Sequence, residues 1–162
     1  MHLKEKGMSD ATCCFIGHRT IKETEELVRR LLCTIEMLIT RHGVDTFLFG
    51  SKSRFNSLCY ELVALCKEKY PHIKRIYVRA EFPIIRDDYK AYLLTRYEDT
   101  YYPEKIIGAG RAAYVERNYE MINRSRFCVV YCEEPTPPKS GTKIALDYAI
   151  KQERVIIRFP EQ

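Results

Sequence analysis

The first clear hydrophobic pattern runs from residue 12 to residue 42. Residues 12–16, T-C-C-F-I, form a short apolar run that ends at Gly17, as expected of a buried strand. Gly43 directly follows this pattern, at a position where glycine commonly caps the C-terminal end of a helix. Over 21–42, apolar residues recur at the spacing of one helix face. We predict that this face is buried; its residues are Leu27, Leu31, Ile35, Leu38 and Ile39. The pattern predicts a strand, a tight loop and a helix.

The same order of elements then recurs. A buried strand at 45–49, again closed by a glycine, Gly50, precedes a helix that ends near Tyr70, before Pro71. A third strand follows at 73–78. Because each parallel connection needs a dozen or more residues, this order predicts parallel strands joined by crossover helices. The apolar positions of the second helix are Leu58, Leu62, Leu65 and Cys66.

The second half of the chain is less regular. Residues 80–111 combine prolines, glycines and a run of tyrosines, and predict one helix at about 86–97. Further elements are a helix at 112–123 with Val115, Tyr119 and Ile122 as its apolar edge, a strand at 127–131, a helix at 142–152 and a strand at 154–159. They predict a Rossmann-like three-layer α/β/α sandwich with a mostly parallel five-stranded sheet. One domain is expected over 1–162, with 1–10 as a flexible N-terminus.

Charge and cysteine content narrow the class of protein. Lys and Arg number 27 against 22 Asp and Glu, a net charge of +5, which suits an anionic partner without demanding nucleic acid. The seven cysteines lie in apolar runs without the C-x-x-C spacing of zinc or redox sites, so we interpret them as buried hydrophobes in a reducing compartment. No signal peptide or membrane span is predicted. We therefore expect a cytoplasmic protein with no metal and no cofactor.

Four polar segments are expected at one edge of the sheet. In open parallel sheets ligands bind beyond the carboxyl ends of the strands. The segments delivered there are 17–20 (G-H-R-T), 50–56 (G-S-K-S-R-F-N), 139–142 (K-S-G-T) and part of 80–117. Glycine lets the backbone approach an anion, and the N-terminus of the next helix supplies free N–H groups and a positive dipole end. The sequence therefore predicts a phosphate or nucleotide site.

These residues also have structural interpretations that the sequence leaves open. Thr20 can cap the first helix, and His18 can be a buried hydrogen-bonding histidine. Ser51 or Ser53 can cap the second helix, and 140–142 can form a cap and a turn.

Four motifs carry a resemblance to a known family. They are C-C-F-I-G-H-R at 13–19, F-G-S at 49–51, V-E-R-N at 115–118 and S-G-T-K-I-A-L-D-Y-A at 140–149. The chain resembles the SLOG superfamily (Smf/DprA–LOG) of Rossmann-like proteins, and within it the YpsA-like branch. The resemblance implies a nucleotide-derived ligand. The candidate binding residues are Gly17, His18, Arg19, Thr20, Gly50, Ser51, Arg117, Asn118, Ser140, Gly141 and Thr142.

The resemblance also bears on activity. LOG enzymes pair an arginine, matched here by Arg117, with a glutamate whose position is occupied by Ala145. Because glycosidic cleavage needs a carboxylate, we expect a binding module, a sensor or sequestering protein for a nucleotide signal such as an ADP-ribose-like molecule. The alternative is an N-glycosidase, phosphoribohydrolase or deoxyribosyltransferase-like enzyme that uses Glu116 or an acid from 81–99, with Asp147 as a further possible carboxylate. Neither a membrane nor nucleic acid is expected as a partner, and a homodimer or larger homo-oligomer stays open.

Overall fold

Six parallel strands form one sheet in the computed structural model, which describes residues 7–160. The strands are β1 (Ser9–Gly17), β2 (Thr46–Phe49), β3 (Lys74–Val78), β4 (Asp99–Tyr101), β5 (Ser125–Tyr131) and β6 (Val155–Phe159). The helices are α1 (Glu25–His42), α2 (Arg54–Lys69), α3 (Asp87–Arg96), α4 (Ala113–Arg124) and α5 (Gly141–Lys151). The strand order is β4-β3-β2-β1-β5-β6. The Rossmann-like α/β class is confirmed.

The strand count and the N-terminus differ from the prediction. β4 has three residues and pairs with β3 at the edge of the sheet, with Val78 opposite Tyr101. So short a strand cannot show an alternating hydrophobic pattern. The sequence therefore predicted five strands, whereas the structure has six. Ser9 and Asp10 belong to β1, not to a flexible N-terminus. Residues 1–6 of that prediction lie outside the described residues.

Helices cover both faces of the sheet. Successive residues of a strand point to opposite sides, so the apolar strands present apolar side chains on both faces, and each face is buried by helices. On β1, Cys13 and Phe15 pack into one core with α1 and α2. Cys14 and Ile16 pack into a second core with α4 and α5. The two cores produce the three layers that the sequence predicts.

Helix α1 follows the hydrophobic pattern closely. Its buried residues are the five of the predicted stripe. Gly43 is the C-cap, and its φ of 68° is the left-handed conformation that glycine tolerates best. The N-cap is Thr24, whose side chain accepts a hydrogen bond from the Leu27 N–H at 3.1 Å. Thr20 is therefore not the cap of this helix.

The buried face of α2 differs from the predicted apolar stripe, and one cysteine of α1 differs from the prediction for the cysteines. Leu65 of α2 is 52% exposed. Phe55 and Val63, which the apolar pattern did not include, are buried instead. Six of the seven cysteines are buried, but Cys33 lies on the outer face of α1 and is exposed. It is an exception to the interpretation of the cysteines as core residues.

The inner face of α4 carries charge. Val115 and Tyr119, expected at its apolar edge, are half-buried, whereas Arg117 and Glu120 are buried. Glu120 accepts hydrogen bonds from Tyr101 and Arg124, which explains its burial. Ile122, the third residue of the predicted edge, is buried as expected. Two charged residues on the inner face interrupt the apolar stripe, so hydrophobicity alone misplaced Val115 and Tyr119.

The chain changes direction in the sheet between β1 and β5. The strands β2, β3 and β4 are added on one side of β1, while β5 and β6 lie on its other side. Such a reversal opens a crevice beyond the carboxyl ends of the strands. The loops that follow β1 and β5 meet at this crevice.

Candidate functional site

A cleft of about 820 Å³ opens at the carboxyl ends of the central strands. All eleven candidate binding residues line it, together with Phe15, Ile16, Lys52, Ser53, Glu81 and Tyr114. The structure thus brings the four predicted segments into one place. That these residues bind a ligand stays a prediction.

The end of β1 forms the floor of the cleft. A Cβ atom on Gly17 would lie 2.3 Å from a ring carbon of Phe55, so packing alone demands a glycine here. His18 follows, half-buried, and its Nε2 accepts a hydrogen bond from the Glu133 N–H at 3.0 Å. His18 is therefore a hydrogen-bonded histidine that also lines the cleft, and its contact with a ligand stays a prediction.

Arg117 reaches the cleft from α4 with its side chain buried and 3% of the residue exposed. Its Nη1 donates to the carbonyl oxygens of Gly50 and, at 3.4 Å, Val78, and its Nε donates to Asn118 Oδ1 at 3.1 Å. A Cβ atom on Gly50 would lie 2.7 Å from Arg117 Cδ. The glycine of the second loop therefore makes room for the arginine.

The charge of Arg117 meets dipoles and no carboxylate. Among residues 7–160, no Asp or Glu oxygen lies within 4.0 Å of its guanidinium. Burial lowers the pKa of Arg117 from its ordinary value, yet an arginine remains protonated in proteins. Glu81 attracts this cation from a distance, but a buried cation without a counterion in contact is costly unless a ligand supplies one.

The N-terminus of α5 forms the opposite wall. Ser140 is the N-cap and accepts a hydrogen bond from the Lys143 N–H at 3.4 Å. Within the described part of the chain, the N–H groups of Gly141 and Thr142 have no acceptor. A Cβ atom on Gly141 would meet nothing within 4 Å, and its φ does not lie in the left-handed region. Neither packing nor backbone conformation explains this glycine.

The N-terminus of α2 also borders the cleft, but its polar groups bond to one another. Ser53 Oγ accepts from the Asn56 N–H at 3.1 Å, and Ser51 Oγ accepts from the Ser53 N–H at 2.8 Å. The Arg54 N–H donates to the Arg19 carbonyl oxygen at 2.9 Å. Ser53 is thus the cap of α2, while Ser51 supports the loop and also lines the cleft.

The cleft favours anions. Its lining carries three cationic side chains, Arg19, Lys52 and Arg117, against one carboxylate, Glu81. Glu81 Oε1 lies 3.4 Å from Lys52 Nζ. Lys52 falls in the predicted segment 50–56 and Glu81 among the acids of 81–99, but neither of them, nor Tyr114, was predicted individually. Glu81 belongs to the irregular segment 80–111, and Tyr114 lacks a recognisable motif, so the topology of the sheet was the one available signal, and it pointed to part of 80–117.

Of the carboxylates considered for catalysis, Glu81 from the range 81–99 lines the cleft, whereas Glu116 and Asp147 do not. Asp147 is exposed and lies 3.4 Å from Lys143 Nζ. Ala145, at the position of the LOG glutamate, is buried in the core between α5 and the sheet and is not part of the lining. A glutamate at 145 would enter that core, so the position offers no route to a carboxylate in the cleft.

The part of the chain described by the structure contains no group of three or more His, Cys, Asp or Glu side chains arranged to bind a metal ion. Cys14 Sγ and Cys128 Sγ lie 3.6 Å apart on neighbouring strands, and both thiols are buried.

No helix within residues 7–160 is both long and apolar enough to cross a membrane.

The strand order and the cleft define an open parallel α/β protein of the Rossmann-like class, with its crevice at the reversal between β1 and β5. No protein-family model and no curated protein matches the sequence. Among solved structures, DNA processing protein A (DprA) from Streptococcus pneumoniae matches with a TM-score of 0.60 and 14% sequence identity, over 93% of this chain and 50% of that one.

The chain therefore spans about half the length of the DprA structure, and a likeness at this identity concerns the fold. It supports the Rossmann-like fold that the resemblance to the SLOG superfamily implies, and membership of that superfamily, and of its YpsA-like branch, stays a prediction.

Proposed function

We propose that this chain binds a nucleotide or a nucleotide-derived small molecule through its phosphate, as a sensor or sequestering module. The observation that carries the proposal is the buried guanidinium of Arg117, which has no carboxylate partner among the described residues and lines the same cleft as the open N-terminus of α5. A phosphate placed between them would neutralise the arginine and accept from the N–H groups of Gly141 and Thr142.

The remainder of the cleft suits a nucleoside. Its volume of about 820 Å³ falls within the roughly 300–1,000 Å³ range of small-molecule pockets. Tyr114 lines the cleft with half of its surface exposed, and its ring centroid lies 5.8 Å from Arg117 Cζ. An exposed aromatic ring beside a cation is a suitable surface for stacking a base. The resemblance to the SLOG superfamily supports the same ligand class, including ADP-ribose-like signals.

The hydrolase or transferase alternative needs a carboxylate beside the scissile bond. Glu116 and Asp147 are outside the lining, and position 145 is in the core. Glu81 is the carboxylate on the lining, so an enzyme at this site would have to use it. Release of free base from AMP, ADP-ribose or deoxynucleosides by the purified protein, at about 1 s⁻¹ or faster as in ordinary enzymes, would favour the enzyme over the binding module.

The test of binding combines two measurements. Mass spectrometry of the gently denatured protein would identify any nucleotide that copurifies with it, and an intact glycosidic bond would support binding over cleavage. Isothermal titration with ADP, ADP-ribose and pyrophosphate would then measure affinity. All three probes carry phosphate, and we expect them to bind. If none of them binds the folded wild-type protein, the proposal is refuted.

A further inference from the structure

Glu81 stands where an anion site would ordinarily exclude it. It is the carboxylate among the cleft-lining residues, and its negative charge opposes the attraction that Arg19, Lys52 and Arg117 exert on a phosphate. Its ion pair with Lys52 does not explain it, because the Lys52 side chain is 78% exposed and such pairs contribute little to stability. Glu81 also attracts the buried Arg117, but only from a distance and as the weakest of the charges that raise the pKa of that arginine. The residue needs another reason to be there.

The free side of this carboxylate offers one. Oε1 lies 3.4 Å from Lys52 Nζ, and within the described part of the chain Oε2 accepts no hydrogen bond. A carboxylate accepts hydrogen bonds and donates none. The part of a nucleotide that presents two neighbouring donors is the 2′,3′-diol of ribose, and one carboxylate can accept from both hydroxyls.

The position of Glu81 fits the length of a nucleotide. Glu81 follows β3, whereas the open N-terminus of α5 follows β5, and β2 and β1 lie between these strands. Three strand spacings separate the ends of β3 and β5 by roughly 14 Å. With the terminal phosphate at Gly141, a nucleoside diphosphate extends its ribose across the cleft towards Glu81.

We propose that Glu81 reads the ribose diol and makes the cleft selective for ribonucleotides over their deoxy counterparts. This inference rests on the proposed function, and it adds the substrate class. Lys52 holds one carboxylate oxygen, and the second accepts from the sugar. The carboxylate lowers the affinity of the cleft for phosphate that carries no sugar.

The test measures the binding of three ligands to two proteins by titration calorimetry. The ligands are ADP, 2′,3′-dideoxy-ADP and pyrophosphate, which lacks a sugar, and the proteins are the wild type and Glu81→Ala. We expect the wild type to bind ADP about 10- to 100-fold more tightly than the dideoxy compound, the range for hydrogen bonds to a charged group. Glu81→Ala should bring this ratio close to one. The same substitution should tighten pyrophosphate binding, because it removes a negative charge; a merely structural role would not produce that gain.

Glu116→Ala is the matched control. It removes an equal charge next to Arg117 from a residue that does not line the cleft, and it should leave the ratio of ADP to dideoxy-ADP affinity unchanged. Glu81→Gln should give an intermediate ratio, since a neutral amide oxygen still accepts.

Three results would overturn the inference. If the wild type binds ADP and dideoxy-ADP equally while Arg117→Met loses both, phosphate binding stands and the role of Glu81 falls. If the wild type releases adenine from ADP and Glu81→Ala does not, the carboxylate is catalytic. If none of the probes binds the wild type, the proposed function fails first, and the inference with it.

Discussion

Two helices begin at the same cleft, and their first turns are built differently. Both have a serine N-cap, Ser53 in α2 and Ser140 in α5. The first N–H of α2 is bonded to the Arg19 carbonyl oxygen, whereas that of Gly141 in α5 has no acceptor among the described residues. One helix start completes the fold, and the other is left open towards the cleft.

The glycines at these loops repeat the contrast. A Cβ atom would lie 2.3 Å from a neighbouring atom at Gly17 and 2.7 Å at Gly50, but at Gly141 it would have no neighbour within 4 Å. The same residue type therefore has two causes. Packing explains the first two glycines, whereas for the third we propose the close approach of a ligand to the backbone.

The largest expected effect is on stability at Gly17. We expect Gly17→Val to lower the free energy of unfolding by about 3 kcal/mol or more, because the new side chain collides with the buried ring of Phe55. Urea denaturation followed by circular dichroism measures this. Gly141→Val is the matched control, expected within about 0.5 kcal/mol of wild type. Equal destabilisation of the two variants would remove the distinction between the glycines.

The next effect is on binding at Gly141. Gly141→Val should weaken ADP binding by about 100-fold, or roughly 2.7 kcal/mol, because its side chain occupies the space where phosphate approaches the backbone. Calorimetry measures the affinity, and Gly141→Ala should fall between the two. A folded Gly141→Val protein with wild-type affinity would place the phosphate elsewhere.

A somewhat smaller loss is expected at Arg117. Arg117→Met keeps the bulk that fills the space beside Gly50 and removes the charge, and it should reduce affinity for ADP by roughly 1.5–3 kcal/mol. The control is Arg124→Met on the same helix, since Arg124 bonds to Glu120 away from the cleft. If both variants bind ADP alike, the buried cation is not the anion site.

The smallest effect is expected at Arg19. Its side chain is exposed at the cleft, so Arg19→Ala should weaken ADP binding by about 0.2–1 kcal/mol, and salt should erase the difference. Titrations at low and high salt measure this. A loss as large as that of Arg117→Met, independent of salt, would show that Arg19 contacts the phosphate in a desolvated site.

The sequence predicted most of the helices and strands, because the strands carry continuous apolar runs and α1 is amphipathic. The location of the cleft also followed, since parallel topology dictates where the loops after β1, β2 and β5 meet. Three kinds of feature escaped. β4 is too short for a pattern, α4 buries Arg117 and Glu120 on its inner face, and Glu81 lies in a segment without periodicity.

The hydrogen bonds of Arg117 have a dynamic consequence. The guanidinium joins the carbonyl group of Gly50, just after β2, to that of Val78, at the end of β3, so it clamps two neighbouring loops. A bound phosphate would share this guanidinium and order the loops further, and local opening would become rarer. Amide hydrogen exchange over 51–53 and 79–82 should slow on binding, while exchange in β6 stays unchanged. Ligand binding in the cleft would then reduce the mobility of two surface loops. No hinge motion or domain rotation would be needed for this change.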